Sequence, residues 1–412
     1  MGSAHRTLSD RAAYGVAAGV IALGLFASLT PSPLYRAYSV LWHFSPLTLT
    51  LIYATYAIGV LVSLLLAGSV SDDVGRRPVL LAALVGLLGA TVLFLLADSA
   101  AWLFVARGLQ GLATGAAVSA AGAALLDLHP RRDATGVALT NAAAAAAGIG
   151  LGMLSSSALV QLGWEPRVLP YLVLLALILA ALAGAYLMPE PVAHRQAFRL
   201  TVRRPRVPAA ARRPFILASL AVLSSWSIGA LFFSLGPELA SQIFGTSNAI
   251  VAGVGVVVLA AAAVVMQLLT GRSAPWVATS VGSLALAAGI LLIVVAAATD
   301  SGVIYLAGSV LGGAGFGAAF LGGLRALVAG IPAEHRASVL SAFYVVAYAA
   351  LSVPAILAGV VVTYLSLQAT FEIFGSVVAA IGLVVAVEAW RTRPAPTQYP
   401  RIRKEMLLDP AS

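Results

Sequence analysis

The sequence predicts an all-α membrane protein, with twelve transmembrane helices arranged as two pseudo-symmetric six-helix halves. Three observations lead there. First, of 412 residues 61% are hydrophobic and 9% charged, with a mean hydropathy of +0.99. A soluble domain has about a quarter of its residues charged, so lipid must be the solvent for much of this chain. Second, dividing the chain at its charges leaves twelve long charge-free runs. Third, the first half aligns with the second at a fixed offset.

The runs are 12–35, 37–71, 78–97, 108–126, 134–164, 168–189, 214–237, 239–271, 273–299, 301–324, 337–371 and 373–387. A crossing helix needs about 20 mostly apolar residues. The fourth run becomes a full span, roughly 100–127, when Arg107 is taken inside it. The last becomes one, roughly 366–390, when Glu372 is taken inside it. The runs lack the period-2 alternation of an outer-membrane strand. The first follows Arg6 and Arg11, but no A-x-A cleavage site follows it and further spans do, so it reads as span 1 rather than a signal peptide. The stretch "EPVAHRQAFRLTVRRPRVPAAARR", 190–213, is rich in Pro and Arg and reads as a linker tracking the membrane surface. It separates an N-terminal half, 1–189, from a C-terminal half, 214–391, and 392–412 reads as a tail.

Net charge is +9 and the pI is near 10.2. With the N-terminus placed in the cytoplasm, 20 of the 24 basic residues fall inside. Outside fall Arg36 and Arg167, while Arg107 and Arg325 lie within spans. The positive-inside rule then puts both termini in the cytoplasm, in a multi-pass protein of the cytoplasmic membrane. The basic residues sit near anionic headgroups. A nucleic-acid partner would need a basic patch interleaved with stacking aromatics, and none is in the sequence, so no nucleic acid is expected. There is no cysteine, which excludes disulfides and thiolate chemistry. His5, His43, His129, His194 and His335 fall in predicted loops or the N-terminal tail without metal-ligand spacing. No metal and no cofactor are expected. Neither a catalytic cluster nor a soluble domain supports an enzyme. The expected partners are a small-molecule substrate, protons and the lipid bilayer, and the chain is expected to be a monomer.

At an offset of 201 residues, "FVARGLQGLATGAA" at 104–117 lies over "YLAGSVLGGAGFGA" at 305–318. "PRRDATGVAL" at 130–139 lies over "IPAEHRASVL" at 331–340, so Asp133 faces Glu334. Two parallel six-helix repeats are a transporter architecture, with substrate bound between them near the midplane.

The stretch "GSVSDDVGRRPVLL", 68–81, gathers Asp72, Asp73, Arg76 and Arg77 between two apolar runs. It falls between spans 2 and 3 on the cytoplasmic side. Gly75 permits a tight turn, Arg76 can hold a carboxylate in a bidentate fork, and Asp127 near the end of span 4 is a candidate partner. The pattern G-x-x-x-D-x-x-G-R-R, met by Gly68, Asp72, Gly75, Arg76 and Arg77, resembles the signature loop of the major facilitator superfamily. A second stretch, "RGLQGLATG" at 107–115, resembles that superfamily's helix-4 motif R-x-x-Q-G-x-x-x-G, frequent in its proton-coupled exporters. The chain is most like the twelve-span drug–proton antiporter type of bacterial permease. The resemblance implies that Asp72, Arg76 and Asp127 form a charge relay, a conformational latch of the outward-facing state. The bland alternative is that these charges only mark topology. Asp73 stands where a basic residue is usual. The matching loop of the second half, "GRSAPW" at 271–276, keeps Gly271 but lacks the carboxylate and the Arg pair.

A charge inside a span is costly unless paired or hydrated, so Arg107 is a candidate for coupling or substrate binding, followed at helical spacing by Gln110 and Thr114. Glu238, at the outer end of span 7, joins them. Tying helix 4 to backbone carbonyls is the structural alternative for Arg107. Arg325 can snorkel to the interface. Cavity candidates are Tyr53 and Tyr56 on span 2, Asn141 on span 5, Trp226 on span 7, and Tyr344 and Tyr348 on span 11, with core packing as the even alternative. In span 5, Gly148 and Gly152 keep the spacing of the antiporters' Gly-Pro motif, but Met153 stands where proline is expected. Span 1 has no carboxylate between residues 11 and 35. The expected function is secondary transport of a small organic solute by alternating access, as proton-coupled efflux, with an uptake carrier or facilitator as the alternative.

Overall fold

The computed structural model describes residues 7–130, 133–192, 207–329, 331 and 333–393, without the side chains at 67–69, 72, 134, 210 and 333–337. The regular elements among the described residues are all helices, and twelve of them are long and apolar enough to cross a membrane. The chain is an all-α membrane protein.

The N-terminal helices are α1 (Asp10–Leu29), α2 (Tyr35–Trp42), α3 (Pro46–Val74), α4 (Arg76–Leu95), α5 (Ala100–Leu128), α6 (Ala134–Leu162) and α7 (Leu169–Leu187). The C-terminal helices are α8 (Arg212–Ser234), α9 (Gly236–Ile243), α10 (Ala249–Thr270), α11 (Pro275–Thr299), α12 (Gly302–Ala329), α13 (Ala333–Tyr364) and α14 (Leu367–Arg391). Because the crossings are even in number, α1 begins and α14 ends on one face, called the near face below; the opposite face is the far face. Polar caps fix several starts. Ser45 accepts from the Thr48 amide ahead of α3, Asn248 from the Ile250 and Val251 amides ahead of α10, and Ser366 from the Ala369 amide ahead of α14.

The 201-residue offset holds element by element. Tyr35–Trp42 advanced by 201 positions is Gly236–Ile243, which are the bounds of α2 and α9. These two short helices are where the charge-free runs and the structure part. Runs 12–35 and 37–71 meet in a broken stretch, where α1 ends at Leu29, a 3-10 turn covers Ser32–Leu34, and α3 starts at Pro46. Likewise α8 stops at Ser234, and α9 and α10 divide the run that was expected to hold span 8 alone. Proline and glycine break these runs (Pro31 and Pro33, Gly236 and Pro237) without interrupting their apolar character. His335, expected in a loop, falls in the first turn of α13.

Within the first half α1 packs on α5, α6 and α7, and α3 on α5. Within the second α11 packs on α12 and α14, and α8 on α12, α13 and α14. The halves meet where α3 touches α13 and α6 touches α10. One apolar cluster crosses this boundary, joining Leu29, Tyr53, Ala57, Ile149 and Met153 to Leu231, Leu259, Leu351 and Ala355. It occupies the middle and far depth. Toward the near face each half keeps its own core, around Leu84, Ala121 and Ala185 in the first and Val222, Leu327 and Phe343 in the second.

Candidate functional site

The near-face turn is built around Gly75. Its φ of +112° is a conformation that side chains resist, and α3 ends and α4 begins on it. Arg76 then reaches α5, its Nε donating to Asp127 Oδ2 at 3.0 Å and its Nη1 to Ser71 Oγ at 2.9 Å. Arg76 is mostly buried and Asp127 about a third exposed, so the pair is screened less than a surface one. Gly68 lies within α3, and the Asp72 side chain lies outside what the structure describes.

Glu190, just past α7, was not singled out by the sequence. Its Oε1 accepts from the Arg76 amide at 2.9 Å and its Oε2 from the Arg77 amide at 3.0 Å. A carboxylate on the first two free amides of a helix is favoured by hydrogen bonding and by the helix dipole. A Cβ on Gly75 would lie 2.6 Å from Glu190 Oε2, so beyond the cost of its φ a side chain there would push the carboxylate off the two amides it holds. The Arg77 guanidinium lies over the Tyr186 ring of α7, 5.1 Å from its centroid. The turn is thus tied to α5 and α7 together.

Arg107 is fully buried in α5. Its Nε donates to Tyr35 Oη, and its Nη1 to the Ser28 carbonyl at 2.8 Å and to Gln110 Oε1 at 2.7 Å. Gln110 Nε2 in turn donates to the Ala27 carbonyl at 2.8 Å. The rings of Tyr35, Tyr56 and Phe94 surround the guanidinium with centroids at 5.3, 5.5 and 5.8 Å. Each face supplies a cation–π contact, which is strengthened by desolvation. Among the described residues no carboxylate pairs with Arg107, and its Nη2 has no hydrogen-bond partner. The carbonyls that Arg107 and Gln110 hold end α1, so the pair ties α5 to that helix end, while the positive charge is met by carbonyl dipoles and ring faces rather than by a described carboxylate. Thr114 is buried in α5, its methyl facing Gly24 of α1.

The remaining candidates divide. Trp226, Tyr348 and Tyr344 line one side of the second half: Trp226 packs on Phe320 at 5.6 Å and edge-on to Tyr348 at 5.0 Å, and Tyr344 packs on Phe343 at 5.8 Å. Tyr53 is buried in the shared cluster against which Tyr348 packs. Tyr56 belongs to the Arg107 cage. Asn141 is apart, on the near half of α6, with a buried Oδ1 lacking a partner. Arg325 Nη1 donates to the Thr270 carbonyl at 3.3 Å, at the end of α10.

Glu238 stands in the first turn of α9 and lines a cavity of about 1170 Å3 between the halves at the far face. Tyr35, the partner of Arg107, lines it too. Met153 and Leu235 of the shared cluster also line this cavity.

Residues 12–354 match the family model described as Major Facilitator Superfamily. No curated protein matches the chain in sequence. Among solved structures, it is similar to the human organic anion transporter MFSD10 (TETRAN), with 18% identity and a TM-score of 0.68 over 92% of this chain and 99% of that one. It is similar to the xylose transporter XylE from E. coli in a partially occluded inward open conformation, with 15% identity and a TM-score of 0.72 over 94% and 100%. A POT family transporter in complex with 5-aminolevulinic acid gives 14% identity and a TM-score of 0.74 over 92% and 96%. At these identities the likeness is one of fold.

Proposed function

Because the chain belongs to the Major Facilitator Superfamily, and is thereby a membrane transporter, we propose that it exports a small organic solute by alternating access in exchange for protons. The halves, 1–189 and 214–391, rock about the 190–213 linker, with 392–412 as a tail. The near face is cytoplasmic on this reading, since 20 basic residues lie on its side of the spans and Arg36 and Arg167 on the other. It places the protein in the cytoplasmic membrane as a monomer. The drug–proton antiporter type is the subtype the helix-4 pattern favours.

The observation that carries the exchange reading is Arg107, a fully buried cation without a carboxylate among the described residues. Its fixed field repels protons and cations and draws a deprotonated acid or an anionic group. Occupation of that field by one and then the other is what an exchanger needs. The latch reading of Asp72, Arg76 and Asp127 supplies the conformational half of the cycle, and the wall of Trp226, Tyr344 and Tyr348 supplies an apolar surface for the solute.

A second reading, a carrier without proton coupling, is favoured by one observation. The described Asp and Glu residues lie at helix ends, in loops or in α9, except Glu372 in α14, which accepts from Gln368 on an exposed face. The similar structures include both an organic anion transporter and a proton:xylose symporter, so they do not favour either direction. Purified protein in proteoliposomes with an imposed pH gradient separates the two readings. Solute accumulation should follow the gradient and reverse with it. Equilibration indifferent to the gradient would establish the second reading instead.

A further inference from the structure

The far-face cavity has walls of opposite charge. Its charged lining residues are Arg36 and Arg167 from the first half and Glu238 from the second. Under the first wall lies Arg107, joined to the cavity through the Tyr35 hydroxyl and unpaired with any described carboxylate. The carboxylates that the first half carries on this face, Asp98 and Glu165, do not line the cavity, so the first wall presents a positive potential to it, and low-dielectric surroundings focus that potential inward. Two buried lining hydroxyls, Ser32 at 6% and Ser157 at 1% exposure, have no hydrogen-bond partner. Buried polar atoms are nearly always satisfied, so these two have capacity for a ligand or water. Gln242 adds an amide one turn beyond Glu238.

From this arrangement we infer that the far-face cavity binds a small zwitterion, its anionic group toward Arg36 and Arg167 and its cationic group toward Glu238. A plain anion would gain the first wall and be repelled by the second, and a plain cation the reverse. A zwitterion satisfies both and, by touching both halves, favours their approach. This rests on the alternating-access reading, which makes the boundary between the halves the path of the solute. For an exporter the cavity is the release station; for an uptake carrier it is the capture station.

The cysteine-free chain allows a direct test. Single cysteines at Ser39, one turn from Arg36 on α2, and at Gln242, one turn from Glu238 on α9, would each be the sole thiol. Labelling by an impermeant thiol reagent is measured with γ-aminobutyrate, butyrate or butylammonium present. These share a chain and differ in charge. γ-Aminobutyrate should slow labelling at both positions at about fivefold lower concentration than either singly charged probe, the gain of one solvent-accessible ion pair. Glu238→Gln should erase its advantage over butyrate, and Arg36→Gln combined with Arg167→Gln its advantage over butylammonium. Absence of protection by γ-aminobutyrate, protection equalled by butyrate, or protection that persists in the charge variants would each overturn the inference. The assay needs no gradient, so its failure leaves the transport reading standing, whereas intact protection without transport in liposomes would fell the transport reading alone.

Discussion

Glu190 and Gly75 define the near-face turn as much as the arginines between them. Gly75→Ala would place a side chain at φ +112° and drive its Cβ against the Glu190 carboxylate, a strain of about 1–3 kcal/mol. The expected outcome is a lower thermal midpoint in detergent and slower transport. Glu190→Ala strands the Arg76 and Arg77 amides, while Glu190→Gln keeps one acceptor and the shape. Transport should therefore fall further in Ala than in Gln, and equal activity of the two would mean that the clamp does not matter. The arginine and glycine positions were legible because they form a local pattern. Glu190 was not, because it meets Arg76 across 114 positions of chain and nothing near it in sequence announces a helix N-terminus elsewhere. Arg107 was legible as an anomaly, a charge inside a span, yet its cage was not: the three rings come from α2, α3 and α4. Arg107→Lys keeps the charge but loses the planar fork that serves Tyr35, Ser28 and Gln110, and Arg107→Ala loses both. Gradient-driven transport should vanish in Ala and nearly vanish in Lys, with gradient-free exchange better preserved. If both activities fall together, Arg107 is a packing or substrate residue.

α6 presents two faces with different duties. Gly148 and Gly152 lie against the α1 backbone at Ala22 and Phe26, inside one half. Gly150 faces Ala260 of α10 across the boundary, where a Cβ would lie 3.1 Å from the Ala260 side chain. Small residues let membrane helices approach closely. Gly148→Val should overpack a permanent contact, costing about 1–3 kcal/mol, and reduce the yield of folded protein. Gly150→Val should spare folding and slow turnover, because it obstructs surfaces that move past each other. Size-exclusion yield and initial transport rates check the contrast, and equal folding losses would deny that the two faces differ. The glycine spacing itself was visible in the sequence. Which glycine met which helix was not, since a four-residue and a two-residue step look alike until the partner helices are placed. The breaks that create α2 and α9 were signalled by proline, but a search by charge cut each short helix at its single ionised residue, Arg36 or Glu238, and shared its remainder between the neighbouring runs.

At the scale of the molecule, twelve crossings, the repeat and the family were legible, because solvent chemistry and period are written along the whole chain. The asymmetry between the faces was not, because it depends on which side chains meet across the halves. Orientation remains testable by the same thiol chemistry: Ser99→Cys and Ser301→Cys should react with impermeant reagent in intact cells, and Thr201→Cys after lysis alone. The shared apolar cluster seals the middle depth beneath the far-face cavity, while the near-face cores are separate. At the far end of the seal, Gln161 Oε1 of α6 accepts from the Ala249 amide of α10 at 2.8 Å. If transport alternates access, this contact must open once per cycle. Gln161→Cys combined with Ala249→Cys gives a pair that a short, reducible bifunctional thiol reagent can bridge. Bridging should stop transport, leave a near-face thiol at Ser273 reactive, and hold a third thiol placed in the shared cluster at Leu231, below the cavity lining, unreactive from the far side. Reduction of the bridge should restore transport, which separates a trapped state from damaged protein. A bridged protein that transports at the unbridged rate would show that the far contact is static, and the rocking of the two halves would then have to be abandoned as the mechanism.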